Sequence, residues 1–362
     1  MPVRVLCVIT GSMGYEGITA VSLKYAAHYD GQVQVDFVSP KAPPEGICRQ
    51  VETMGGRLFI TGSRTGRPLR YARRLSRIVR AGKYDVVHVN GSSCLMALDL
   101  WAAWAGGARV RIAHSHNTYC RHRALHVLLR PAFDRLYTHA WACGEEAGRW
   151  LFRKRPFRIA RIGVETEKYA FDPQARQRVR EQLAPGGETL ILCVANFLAA
   201  KNHGFLVEAF SGCAGTCRLL LAGDGLLREQ TEARIREMGL EKDALVLGSR
   251  DDVAQLMQGC DVLALPSLHE GFPNVLMEAQ CAGMAILASE NITRQADVTG
   301  QIRFLPLDRA VWAAALSEKP PENRAQRSAR AVERIRQAGY DMESCAREME
   351  NFYRESTGKQ ET

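Results

Sequence analysis

This sequence has no long apolar run. Its longest apolar-looking stretch, residues 95–108, is broken by Asp99 and by Gly106-Gly107. A membrane-spanning helix needs about 20 consecutive, mostly apolar residues, so none is expected. The opening MPVRVLCVIT is too short an apolar run to be read as a secretion signal. The cysteines also lack any pairing pattern. There are 11, an odd number, with no CxxC and only a CxxxC at Cys213 and Cys217. That scatter excludes a disulfide framework and a zinc site. Cys7 between Leu6 and Val8, and Cys193 between Leu192 and Val194, read instead as small core side chains in a reducing, cytoplasmic setting. Acidic residues are in deficit, 39 against 48 Lys and Arg, which leaves a net charge of +9. No nucleic-acid-binding motif is visible in the basic stretches, so no nucleic-acid partner is expected.

A chain of 362 residues suits two domains. Short β-rich runs alternate with helical sequence throughout. Strands are expected at 3–10, 33–38, 84–89 and 109–113, then at 189–195, 217–222, 244–247, 261–265 and 285–288. Helices are expected between them, among them 18–29 and 203–211. This βαβ rhythm makes an α/β protein with parallel sheets covered on both faces. The turn residues of Phe171-Asp172-Pro173 and Ala184-Pro185-Gly186-Gly187 place the boundary there, giving domains 1–172 and 185–340. A last helix, 341–358, carries Met342, Cys345, Met349, Phe352 and Tyr353 on one side. Much of the positive charge lies at 64–83, where Arg70, Arg73, Arg74, Arg77 and Arg80 follow helical spacing. That face is either simply solvated or attracted to an anionic membrane surface.

In open parallel sheets, ligands bind beyond the carboxyl ends of the strands. The string from Pro266 to Ala279, PSLHEGFPNVLMEA, follows a strand and opens a helix. Pro273 suits the first helical turn. The amides of Asn274, Val275 and Leu276 would then be free donors, a ready anion site. Glu270 precedes this helix and Glu278 lies inside it, beside apolar Leu276 and Met277. If buried, that carboxylate needs a partner such as a ribose diol. The second string, Val194 to His203 (VANFLAAKNH), places Lys201 at a strand-to-helix junction, where it can reach a diphosphate.

These two strings, at this separation, resemble the large retaining glycosyltransferase group called family 4, and above all its bacterial branch that builds capsular and extracellular polysaccharides. The resemblance implies the GT-B fold, with two facing Rossmann-like domains and the last helix packing back toward the N-terminal domain. It also implies the site. The family's spaced glutamates match Glu270 and Glu278, with seven residues between them, and its lysine matches Lys201. Glu270 would touch the transferred sugar, Glu278 the ribose, and Lys201 the diphosphate, with the backbone from Phe272 through Pro273 and Asn274 to Val275 cradling phosphates and sugar. Gly223-Asp224-Gly225 matches the glycine turn near the nucleotide, and Ser249 and Arg250 the loop that meets the base. In the first half, His116 rather than His114 matches the histidine that approaches the donor sugar.

Three departures stand out. Asn196 replaces the usual arginine, which removes one cation from the diphosphate site. Gly14 and Gly17 are separated in the first loop, and Glu16 between them sets a carboxylate beside a polyanion, where it would meet the acceptor rather than phosphate. Arg161-Ile162-Gly163-Val164-Glu165 replaces the proline-asparagine-glycine turn between the domains. The expected activity is transfer of a sugar, with retention, from a nucleotide-sugar (a UDP-sugar) to a lipid-linked or saccharide acceptor in surface polysaccharide biosynthesis. No cofactor and no metal are expected. The basic helix face implies a peripheral place on the inner membrane face. Two other readings stay open: a non-catalytic nucleotide-sugar-binding subunit, and a GT-B sugar-nucleotide epimerase.

Overall fold

The computed structural model describes residues 2–14, 17–270 and 272–358. The chain forms two compact units: one runs to Gly163 and takes in the last helix, and the other is Val164–Asp341.

The first unit holds β1 (Val3–Ile9), β2 (Val33–Ser39), β3 (Leu58–Ile60), β4 (Val86–Gly91), β5 (Val110–Ser115), β6 (His139–Ala142) and β7 (Arg158–Ile159). They form one sheet in the order β3-β2-β1-β4-β5-β6-β7, with every neighbouring pair parallel. Strands buried on both faces read as continuous apolar runs, which is why β1 (VRVLCVI) was legible. Strands β3 and β7, only three and two residues long, and β6, which reads HAWA, carry no such run. The helix Met342–Thr357 belongs to this unit, as expected. Its Met349, Phe352 and Tyr353 join Val3, Val5, Val86 and Trp141 in one core cluster. The helix Pro68–Gly82 buries Tyr71, Ala72, Leu75 and Val79 and leaves Arg70, Arg73, Arg74, Arg77 and Arg80 exposed. Among the described residues, no helix is long and apolar enough to cross a membrane.

The second unit holds β8 (Thr189–Val194), β9 (Cys217–Ala222), β10 (Ala244–Gly248), β11 (Val262–Leu265), β12 (Ala285–Ser289) and β13 (Ile302–Leu305), in the order β10-β9-β8-β11-β12-β13, again all parallel. The unit starts at Val164, earlier than the boundary at 172 read from the sequence. Phe171-Asp172-Pro173 is a helix start, not a linker. Asp172 Oδ1 accepts from the Gln174 amide at 2.8 Å and caps the helix Pro173–Leu183. Arg180 on that helix reaches Asp261 Oδ2 at 2.8 Å, and Tyr169 lies in this unit's core.

The last helix carries a titratable contact. Glu350 is buried and meets Asp30, whose amide donates to Glu350 Oε1 at 3.3 Å. Burial, reinforced by the Asp30 carboxyl and opposed by Arg354, pushes the Glu350 carboxyl up from 4.5 to about 7. The contact with Glu350 holds Asp30 below its ordinary 3.8. The pair therefore shares one proton between the two values. The raised group adds stability that is complete below about 4.5 and is lost as pH rises through about 7. Asp30 works the other way and loses its contribution only in acid. Between pH 6 and pH 8 the wild-type melting temperature is expected to fall by about 2–4 °C relative to Glu350→Gln, whose amide does not titrate. Parallel melting curves for the two proteins across that range would contradict the shared proton.

Candidate functional site

In both sheets the strand order reverses beside the first strand, between β1 and β4 and between β8 and β11. Such switch points open a crevice at the carboxyl ends of the strands. In the second unit β8 and β11 pair directly, Ile191 against Val262 and Leu192 against Leu263, so the loops that follow them meet.

The loop after β8 is held from beneath by the glycine turn after β9. Gly223 and Gly225 sit at φ +145° and +153°. A Cβ on Gly223 would lie 2.1 Å from the Ala195 carbonyl oxygen, and one on Gly225 would lie 2.8 Å from the Phe197 amide nitrogen. Only glycine permits this approach. The Phe197 amide donates to the Asp224 carbonyl at 3.0 Å, and the buried Phe197 ring stacks on His203 at 4.1 Å. Burial pushes His203 down to about 4. Lys201 ends a short 3-10 turn, Ala199–Lys201, and Asn202 reverses the chain at φ +58°. Two bonds staple this loop to the one after β11. The Leu268 amide donates to the Ala200 carbonyl at 2.7 Å, and Asn202 Nδ2 donates to the Pro266 carbonyl at 3.3 Å.

The staple brings the predicted charges together. Lys201 Nζ donates to Glu270 Oε1 at 2.5 Å, and the buried Ser267 hydroxyl donates to the same oxygen at 2.8 Å. Ser267 was not singled out from the sequence, although its place at the end of a buried strand was a signal. The helix Asn274–Cys281 begins one residue later than expected, with Pro273 at its cap and not in its first turn. The Leu276 amide is consequently spent on the Pro273 carbonyl at 3.1 Å. The amides of Asn274 and Val275 remain as the donors at this helix start. Asn274 Oδ1 is buried and has no hydrogen-bond partner among the described residues, a polar atom suited to a ligand donor. Glu278 is buried, and its partner is the Tyr169 hydroxyl, which burial and Glu278 together hold far above its ordinary range. Phe272 lies flat on Tyr340, with centroids 5.6 Å apart.

The base-side residues are arranged differently from the simplest reading. Arg250 is not free, because its Nε donates to Asp252 Oδ1 at 2.7 Å. Ser249 and Asp224 are exposed, and the Gly223 amide donates to the Gly248 carbonyl at 2.8 Å, tying the two turns together. Asn196 is also exposed. A cation the sequence reading passed over stands near these turns. The Arg228 guanidinium lies 3.4 Å from where a Gly248 Cβ would be, paired with Glu232 at 2.9 Å.

In the first unit, His116 follows β5 and its Nε2 lies 2.8 Å from Asn90 Oδ1 at the end of β4. An amide oxygen only accepts, so Nε2 carries the hydrogen. Burial pushes His116 down to about 4, so the ring is neutral near pH 7. His114 is more deeply buried, with its ring 4.0 Å from that of His116 and its Nδ1 3.0 Å from His88 Nε2. His88 in turn reaches the Tyr353 hydroxyl at 2.6 Å, and burial pushes it down to about 3. The sequence reading missed Asn90 and His88, although polar residues in a strand as apolar as VVHVNG were a signal. Gly14 is half-buried and Gly17 opens the first helix; Glu16 lies outside the described residues. Among the described residues, no three His, Cys, Asp or Glu side chains converge as a metal site would need.

Comparison with known proteins gives the family and the fold. The family model described as Glycosyltransferase Family 4 matches residues 15–164, and that described as Glycosyl transferases group 1 matches residues 175–301. The chain is 31% identical to the putative glycosyltransferase EpsF of Bacillus subtilis, over 98% of this chain and 97% of that one. It is 29% identical, over 32% of each chain, to an N-acetylgalactosaminyltransferase of Campylobacter jejuni that is named for a diphospho-undecaprenol-linked saccharide. The crystal structure of HepE of Anabaena, in complex with UDP and glucose, superposes with a TM-score of 0.79 at 18% identity, covering 97% of this chain and 99% of that one. That likeness gives the fold, GT-B with two Rossmann-like domains. The full-length similarity to EpsF and the two matched family models place the chain, as a glycosyltransferase, in family 4.

Proposed function

We propose that this glycosyltransferase moves a sugar from a nucleotide-sugar, a UDP-sugar, onto a lipid-linked or saccharide acceptor with retention at the anomeric carbon, in surface polysaccharide biosynthesis. The observation that carries the reading is the Lys201–Glu270–Ser267 cluster at the switch point of the second unit, beside the open amides of the helix Asn274–Cys281. A cation and a helix start together hold the charge that develops on a departing diphosphate. Glu270, oriented by two donors on one oxygen, keeps its other oxygen for the hydroxyls of the transferred sugar. Glu278 takes the ribose, and neutral His116 donates or accepts at the donor sugar without adding charge. Gly14, Gly17 and Glu16 belong to the loop proposed to meet the acceptor. No metal enters this scheme. The names of relatives that act on diphospho-undecaprenol-linked sugars support a lipid-linked acceptor. With it goes a peripheral place on the anionic inner membrane face through Arg70, Arg73, Arg74, Arg77 and Arg80.

The test is nucleotide release from a panel of UDP-, GDP- and ADP-sugars, with and without a membrane extract of the source organism. Release is expected with UDP-sugars, to depend on the extract, and to form an α-linkage from an α-donor by NMR. In Glu278→Ala the donor KM is expected to rise about 10- to 100-fold, the weight of a hydrogen bond to a charged group. Donor binding without turnover would instead identify a non-catalytic subunit. Turnover without an acceptor would identify an epimerase, and an inverted linkage would end the retaining mechanism.

A further inference from the structure

The first unit carries an apolar groove that the sugar-transfer chemistry does not use. Its volume is about 420 Å³, and Leu95, Leu98, Trp101, Leu125, Leu129 and Leu136 line it. Its one charged lining group, Arg64, is already neutralised by buried Asp99 at 2.7 Å. An extended polypeptide lying in such a groove would leave its amides and carbonyls without partners, whereas a hydrocarbon chain needs none. The wall is built, not incidental. His126 Nδ1 accepts from the Cys94 amide at 3.2 Å, which fixes the helix Arg123–Leu128 against the turn after β4.

Large apolar side chains stand exposed in the lining and next to it in the chain. Leu69 is 68% exposed and Leu128 is 72% exposed, with Trp101 and Leu125 partly so. An apolar groove whose own lining, as at Trp101 and Leu125, stays exposed marks a binding site. The chain beside the lining residues Pro68 and Leu125 is strongly basic: Arg67, Arg70, Arg121 and Arg123 are all exposed, and none takes part in an ion pair with a described residue. The groove also begins in the right place. Leu95 lies in the short turn after β4 and Leu98 in the helix that follows it, and β4 is the strand whose carboxyl end carries Asn90 and, through it, His116. The groove and the basic chain beside its lining therefore suit one occupant: a hydrocarbon chain in the groove and its phosphate among the arginines.

We propose that this groove seats the isoprenoid chain of the lipid-linked acceptor, holding the phosphate-bearing end toward the strand ends of the first unit. The proposal rests on the acceptor class put forward above. It makes the protein selective for acceptors by the length of their lipid.

The test uses isoprenyl phosphates as probes and the Trp fluorescence of the intact protein, without any donor. Farnesyl phosphate is expected to bind, and dimethylallyl phosphate, with a chain too short to fill the groove, is not. The double substitution Trp101→Ser, Leu125→Ser removes two exposed side chains and should not disturb folding. It is expected to weaken farnesyl phosphate binding at least about tenfold, read by calorimetry, while the affinity for UDP is unchanged. Equal binding of the two probes, or farnesyl phosphate binding that survives the double substitution, would overturn the proposal. So would loss in the double variant of association with phosphatidylglycerol vesicles alone, with no farnesyl phosphate binding by the wild type; that result would make the face a bilayer contact. Because UDP affinity and donor turnover are read separately, a failure of the groove stays distinct from a failure of the transferase reading.

Discussion

Lys201→Ala is expected to lower nucleotide release about 10²- to 10³-fold at saturating donor, the usual cost of removing one fixed group that stabilises developing charge. The side chain is 24% exposed and its partner Glu270 11%, so neither charge is fully screened by water. With Asn196 in place of a second cation, little else nearby is free to share the load, since Arg250 is held by Asp252 and Arg228 by Glu232. The substitution acts twice. It removes the charge that meets the diphosphate, and among the described residues it leaves Ser267 as the side chain that donates to Glu270. A double-mutant cycle separates the two effects. If Lys201 and Glu270 act as one unit, Lys201→Ala combined with Glu270→Gln should cost scarcely more than the worse single change. Fully additive losses would mean that the ion pair is only structural. A kcat indistinguishable from wild type in Lys201→Ala would remove the lysine from the mechanism and direct attention to Arg228.

How much of this was legible in the sequence follows from what each signal depends on. Strands β1 and β8 are central and covered on both faces, so their apolar runs gave them away almost to the residue. Strands β3 and β7 are edge strands too short to show a period. The turn Gly223-Asp224-Gly225 was legible as a match to the family's glycine turn, and the structure supplies the reason, since a Cβ on either glycine would meet the neighbouring chain. By contrast, the partner of Glu278 is Tyr169 and the partner of His88 is Tyr353. These are contacts between residues far apart in the chain, and no local pattern encodes them. The boundary was misplaced for a related reason. Proline with aspartate marks a helix start as well as a linker, and at Asp172 it marks the start. Pro273 shows the same limit on a smaller scale. Its ring permits either the cap or the first turn, and the structure uses the cap, which spends one of the three amides the sequence had left free.

The most severe structural effect is expected at Gly223. In Gly223→Ala the new Cβ would meet two backbone atoms of Ala195, the carbonyl oxygen at 2.1 Å and its carbon at 2.8 Å. Neither is the end of a flexible side chain, so the clash is relieved only by moving the main chain beyond β8. The residue also sits at φ +145°, which an L side chain adopts only with strain. Strain of about 1–3 kcal/mol and overpacking of about 1–3 kcal/mol act together. The melting temperature is therefore expected to fall by roughly 5–15 °C. Gly187→Ala is the control, because Gly187 lies at φ +83° with no atom within 4 Å of a new Cβ. It bears the strain without the clash, and its melting temperature should fall by only a few degrees. The difference between the two variants measures the close approach itself. Its functional consequence follows from the hydrogen bonds of the same turn. The Asp224 carbonyl holds the Phe197 amide, and the chain from Phe197 leads to Lys201. A main chain pushed away from Gly223 therefore carries the lysine out of register with Glu270. Gly223→Ala should lose turnover even at a temperature where it is fully folded, whereas Gly187→Ala should keep it. Equal melting temperatures for the two variants would show that β8 and the glycine turn are not in contact, and the account of how Lys201 is positioned would fall with that contact.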